Sequence, residues 1–138
     1  MSRIALLGLA FICSACFSLA PAQETKDPID QKLDACLNSP GGASTAGQNQ
    51  CSDAVYQSWD AENKVYQKLM ASLDPTSRGL LRSSQRQWLA SRESEKKFQV
   101  APWLQKGGTL IGVSVNLDNV DALRSRVQAL RMYAGAAK

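Results

Sequence analysis

Histidine is missing from all 138 residues of this chain. Its absence removes the usual general base and the commonest metal ligand together. Nucleophilic catalysis needs an activated serine or cysteine with a base in reach, and no Ser-x-x-Lys stands at a predicted helix start. The carboxylate pairs Asp60/Glu62 and Glu93/Glu95 are spaced by two, which puts them on different helix faces and favours a solvated surface over an acid–base dyad. Gly107-Gly108 precedes neither a Lys-Ser/Thr pair nor a predicted helix start, so no phosphate cradle is expected. No internal repeat or low-complexity tract is found, and the length leaves no room for a second domain. We therefore expect no catalytic residue, no cofactor and no metal. Hydrophobic content of 44% with 20% charge indicates an ordinary folded domain that binds or supports.

The first 22 residues read as an address. Arg3 is the only charge before Glu24, an apolar run follows from Ile4, and Ala20-Pro21-Ala22 is a small-residue exit. This is the pattern of a secretory signal peptide cut before Gln23; a retained anchor is the competing reading, for which the run is short. Lipidation at Cys16, after Ser14-Ala15, is a second alternative and would tether the protein to a membrane without threading it through. Loss of Arg3 lowers the formal charge from +4 to +3, mildly basic and unlike a nucleic-acid-binding stripe. Cys13 and Cys16 leave with the signal. Cys36 and Cys51 remain, and two cysteines in an exported chain are expected to pair. The loop they enclose has about 15 residues, for which the chain-entropy estimate is roughly 3 kcal/mol.

Residues 23–138 read as an all-α domain. After a polar leader from Gln23 to Pro28, Ile29, Leu33, Cys36 and Leu37 recur at helical spacing, and Pro40-Gly41-Gly42 ends that helix. Ser44-Thr45 offers caps for the next one. From about Ala46 to Leu73 a single long helix is expected, with Cys51, Val55, Trp59, Tyr66, Leu69 and Leu73 on its stripe. Asp74-Pro75 is an N-cap followed by proline in the first turn, opening a third helix to about Phe98. The expected architecture is an antiparallel hairpin of these two long helices with two flanking helices and one disulfide. Residues 101–117 are expected to form a long loop with a β-rich stretch at Thr109–Val115. Asp118 and Asp121 can cap a last helix carrying Val120, Leu123, Val127, Leu130 and Ala134. Arg78, Arg82 and Arg86, in steps of four, line one face that is either merely solvated or able to attract an anionic surface. Trp59 and Trp88 fall at core positions, whereas Trp103 beside Pro102 is the candidate for an exposed partner contact.

One set of residues stands out as a unit. Asn63-x-x-Tyr66-x-x-Leu69 is followed by Gln85-Arg86-x-Trp88-Leu89-x-x-Arg92-Glu93, with Cys36 and Cys51 upstream. This resembles the LprI-type lysozyme-inhibitor family of small exported helical domains, over a motif core of about residues 33–97 and with a weaker echo through Gly107-Gly108 and the final helix. Physically, Tyr66 and Trp88 can pack across the hairpin while Asn63, Gln85 and Arg92 hydrogen-bond between helices, which makes structural roles the default for the motif. Compared with the family pattern, a third and fourth cysteine are missing, Glu62 replaces a leucine, and Trp59 stands where aspartate is usual.

The resemblance implies a periplasmic or secreted protein, or a lipid-anchored one, that inhibits a lysozyme-type glycoside hydrolase of peptidoglycan. Inhibition would come from occluding the substrate cleft, possession of the protein conferring immunity on its own cell wall. A charge of +3 disfavours long-range steering to a strongly basic lysozyme and fits a neutral or acidic hydrolase better. The alternative is a non-inhibitory structural or assembly module of the envelope. Oligomeric state is not legible.

Overall fold

A computed structural model describes residues 25–137, and all the regular structure in them is helical. The expected signal peptide and the Cys16 lipidation site lie outside the described residues. Helix α1 spans Pro28–Leu37, with the Asp27 carboxylate accepting from the Ile29 backbone N–H at 2.9 Å. A short 3-10 turn, Pro40–Ala43, leads into α2, Thr45–Ala61. Ser44 caps α2 as expected, its Oγ accepting from the Gly47 N–H at 3.1 Å. Gly47 is required here: a Cβ on it would lie 1.7 Å from the Gly41 carbonyl oxygen. The Cys36–Cys51 disulfide, with Cα atoms 5.7 Å apart, clamps the end of α1 to α2.

The single helix expected from Ala46 to Leu73 is two helices. It breaks after Ala61, and α3 runs over Lys64–Ser72. No proline or glycine marks the break. The backbone tightens there into i→i+3 bonds, Asn63 N–H to Asp60 O and Tyr66 N–H to Asn63 O, while Glu62 reaches the Arg131 guanidinium at 3.0 Å. Tertiary contact outweighs the local helical preference of this segment. Asp74-Pro75 opens α4, Pro75–Gln99, as expected, with the Asp74 carboxylate accepting from the Thr76 and Ser77 N–H groups at 2.8 and 3.0 Å.

The expected loop over 101–117 is also helical. A four-residue helix α5, Pro102–Gln105, is followed by α6, Gly108–Ala136, which absorbs the β-rich stretch. Gly107-Gly108 therefore does open a helix, with Gly108 at φ +72°. Asp118 and Asp121 are not caps but lie inside α6, where Asp121 pairs with Arg124 at 2.8 Å. Burial explains the outcome: Val113, Val120, Leu123, Val127 and Leu130 form one buried stripe at steps of three, four and seven.

Helix α2 packs against α6. The two run parallel, since Asn49 meets Asn116 at one end and Glu62 meets Arg131 at the other. Their shared core is Val55, Trp59, Val120, Leu123 and Val127, with Ile29, Leu33, Tyr56, Val65 and Trp88 packed around it. α1 runs antiparallel to α6, because Asp27 meets Arg131 and Asp30 meets Arg124. α4 runs back along both long neighbours, with Lys96 near Tyr56 and Gln85 bonded to Arg126, so the Asp74-Pro75 turn reverses the chain as the hairpin reading requires.

Candidate functional site

Two surfaces of α4 carry the candidate site residues. At its C-terminal end the helix delivers Phe98, and the Val100–Pro102 turn brings Trp103 back over it. The rings stack with centroids 4.7 Å apart and 25° between planes, and the indole Nε1 donates to the Phe98 carbonyl at 2.8 Å. This geometry fixes both rings while leaving Phe98 55% and Trp103 45% exposed. Val100, in the turn between them, is exposed as well and completes an apolar tip. Exposed aromatics held rigid in this way carry large contact area at low entropic cost, as binding anchors do. Trp103 was the residue singled out from the sequence. Phe98 was not, although an aromatic at a helix end, five residues before a tryptophan across a proline turn, is a readable sign of such stacking.

The tip is braced from behind. Gln99, buried at the end of α4, accepts from Asn119 Nδ2 at 2.9 Å, and Arg92 reaches the Asn119 carbonyl at 3.5 Å. Asn119 Oδ1 is buried without a hydrogen-bond partner among the described residues. A groove of about 340 Å³ runs beside the tip, with Gln99, Val100, Leu104, Val115 and Asn119 among its walls. Lys96 lines it and lies over the Tyr56 ring, while Lys97 pairs loosely with Glu93 at 3.7 Å and Lys106 is exposed three residues from Trp103 in sequence.

The second surface is the cleft between α3 and α4, of about 410 Å³, lined by Asn63, Lys64, Tyr66, Gln67, Gln85 and Leu89. Four residues of the sequence motif, Asn63, Tyr66, Gln85 and Leu89, meet here. The other motif residues separate. Leu69 is buried, Trp88 joins the core margin beneath the Arg126 guanidinium, and Arg86 is exposed. The hydrogen bonds of Gln85 and Arg92 go to α6, not to α3: Gln85 Oε1 accepts from Arg126 Nε at 2.9 Å.

Charge is handled differently on the far side of the molecule. Arg131 bonds Asp27 at 2.6 Å and Glu62 at 3.0 Å, with its guanidinium 5.1 Å from the Trp59 ring. The hydrogen bond from Arg131 holds the Glu62 carboxyl below its ordinary value against the opposing effect of burial. Trp59 Nε1 donates to Asp30, which also takes Arg124 at 3.3 Å. These groups tie helices together, although Asp27 and Asp30 also border an open groove with Lys26, Gln31 and Gln128, and Arg131 borders another with Val65 and Lys68. Among the described residues, no group of three or more Cys, Asp or Glu side chains is placed to hold a metal ion, and no helix is long and apolar enough to cross a membrane.

Comparison with known proteins extends the match beyond the motif core. No curated protein matches the chain. A crystal structure of an uncharacterized protein from Burkholderia thailandensis is similar, with a TM-score of 0.75 and 34% identity over 81% of this chain and 55% of that one. This chain thus spans little more than half the length of that relative. The family model for the lysozyme inhibitor LprI matches residues 36–130, from the first disulfide cysteine to Leu130 at the end of the α6 core stripe. With the paired cysteines, the Asn-x-x-Tyr element on α3 and the Gln-Arg-x-Trp element on α4 all inside that span, the chain belongs to the LprI lysozyme-inhibitor family.

Proposed function

We propose that this protein inhibits a lysozyme-type peptidoglycan hydrolase by placing the Phe98–Trp103 tip in the mouth of the enzyme's substrate cleft. The observation that carries this reading is the stacked, half-exposed aromatic pair on a braced helix end, in a chain of the LprI family. Glycosidase clefts are long, line their floors with two carboxylates, and bind sugar rings against apolar and aromatic walls. A flat aromatic pair occupies the place of a ring. Lys106 or Lys97 at its edge then meets a catalytic carboxylate, a charge-assisted contact that neutralises the acid–base pair. No bond is made or broken by the inhibitor.

The formal charge of +3 without residues 1–22 favours a neutral or acidic hydrolase over a strongly basic one. In that setting the protein protects the cell wall of the cell that exports it, with residues 1–22 as the signal and residues 23–138 as the working domain. A periplasmic or secreted site follows from the signal and the disulfide; a lipid chain on Cys16 would instead hold the inhibitor at the envelope. The test is titration of the oxidised protein, residues 23–138, into cell-wall clearing assays with animal, phage-type and bacterial toxin hydrolases. Stoichiometric loss of one activity, with a one-to-one complex on gel filtration, is the expected outcome. Full activity of every hydrolase in the presence of folded protein would leave the envelope-assembly alternative in its place.

A further inference from the structure

Between them, α3 and the 75–92 stretch of α4 contain six cations, Lys64, Lys68, Arg78, Arg82, Arg86 and Arg92, and no acid at all. Arg92 is committed to the Asn119 carbonyl, and Lys64 stands 3.8 Å from Glu62. Arg78, Arg82 and Arg86 are exposed and form no ion pair among the described residues. Arg82, Gln85, Arg86 and Leu89 follow the i, i+3, i+4, i+7 pattern and share one side of α4. Gln85 and Leu89 from that side line the α3–α4 cleft, so two unpaired guanidinium groups stand along its rim, with Lys64 on the opposite wall.

The inside of the cleft is of a different character. Besides Lys64, its polar groups are three neutral amides, Asn63, Gln67 and Gln85, and the Tyr66 phenol. Asn63 starts α3 but its side chain makes no cap bond, and among the described residues the side chains of Tyr66 and Gln67 have no hydrogen-bond partner. Gln85 is only 7% exposed; its Oε1 is taken by Arg126, while its Nε2 makes no hydrogen bond among the described residues and is not sealed from solvent, so it can donate to a ligand in the cleft. Neutral, two-way hydrogen-bonding groups inside and unpaired cations outside suit a ligand with hydroxyl and acetamido groups on its body and carboxylates projecting from it. A phosphate chain would call for guanidinium groups converging on one point. A peptide helix would call for a row of apolar pockets, and Leu89 is the only aliphatic among the lining residues.

We propose that the α3–α4 cleft binds an acidic, N-acetylated glycan strand. The site is separate from the aromatic tip and stands or falls without it. Binding there would hold the protein on a carboxylate-bearing glycan while the tip at the far end of α4 stays free.

The test is calorimetric titration of the protein, residues 23–138, with a soluble N-acetylglucosamine–N-acetylmuramic acid tetrasaccharide. The uncharged N-acetylglucosamine tetramer, polyphosphate and an acidic peptide serve as comparisons. Saturable binding is expected for the acidic saccharide, weaker binding for its uncharged counterpart, and a decline with added salt. Gln67→Ala and Arg86→Ala change exposed residues, and each should weaken binding by about fivefold while the thermal midpoint is kept. Both variants should inhibit a hydrolase as the parent does, because neither residue lies at the tip. Absence of saturable saccharide binding, or binding that both variants leave unchanged, would overturn the proposal. So would tighter binding of polyphosphate or of the acidic peptide.

Discussion

Where α2 meets α6, Trp59, Val127 and Leu130 are fully buried and Val55 is 3% exposed, whereas α4 leaves Leu80 at 69%, Leu89 at 51% and Phe98 at 55%. The two regions differ in composition, α4 carrying eight charged residues among its 25 where α2 has two among 17. They differ as well in how each side chain is partnered. On the α2–α6 side, apolar stripes interlock and the charged groups are answered: Asp30 by Trp59 and Arg124, Arg131 by Asp27 and Glu62. On α4 the buried side chains are glutamines, Gln85 and Gln99, and the arginines at 78, 82 and 86 face solvent. A helix that contributes so little apolar burial persists because it is capped at Asp74, held at Gln85, Trp88 and Gln99, and joined to α6 through α5. Its outer faces are thereby left available for contact with other molecules.

Substitutions can break this contrast from either side. The largest loss is expected for Trp59→Ala, about 3–5 kcal/mol in urea unfolding, since a fully buried indole leaves a cavity and the Asp30 carboxylate loses one of its two partners. Replacing Cys36 and Cys51 by serine should cost about 3 kcal/mol by relaxing the unfolded chain around the 15-residue separation, again on the α1–α2 side. Arg131→Met should cost roughly 1 kcal/mol at neutral pH, a figure kept small because the guanidinium is 35% exposed and screened. The same variant should flatten part of the acid response. A Glu62 carboxyl held below its unfolded value adds stability above the ordinary carboxylate range, and that contribution is lost as pH falls through the folded-state value. In thermal unfolding across the acid range, Arg131→Met should therefore converge on the parent at low pH. Leu80→Gln on α4 should move stability by no more than about 0.5 kcal/mol, despite replacing a leucine.

The same contrast explains which parts of the structure are legible in the sequence. Ser44 and Asp74 declare their helix starts because the capping residue itself makes the bond. The α6 stripe is readable from Val120 onward, where apolar residues recur at three and four. Upstream, Ile111, Val113 and Val115 between glycines look like a strand, and only burial of Val113 against the rest of the fold decides for helix. The break at Glu62–Asn63 has no local signal, since its visible partner, Arg131, lies 69 residues away. At the tip, Trp103 is conspicuous beside Pro102, but its stacking on Phe98 depends on a turn that the sequence reads as open loop. The clustering of Asn63, Tyr66 and Gln85 in one cleft also needs the α3–α4 reversal in place before it can be seen.

The most direct test of the account is the inhibitory potency of Trp103→Ala against a hydrolase that the parent protein inhibits, measured beside the thermal midpoints of both. The indole is half-exposed and outside the core, so the fold should remain intact, with stability changed by about 1 kcal/mol or less. We expect potency to fall by at least about thirtyfold, the loss of one aromatic anchor worth roughly 2 kcal/mol. Undiminished inhibition by a folded Trp103→Ala protein would contradict the claim that the α4 end, and not the α2–α6 side, meets the enzyme.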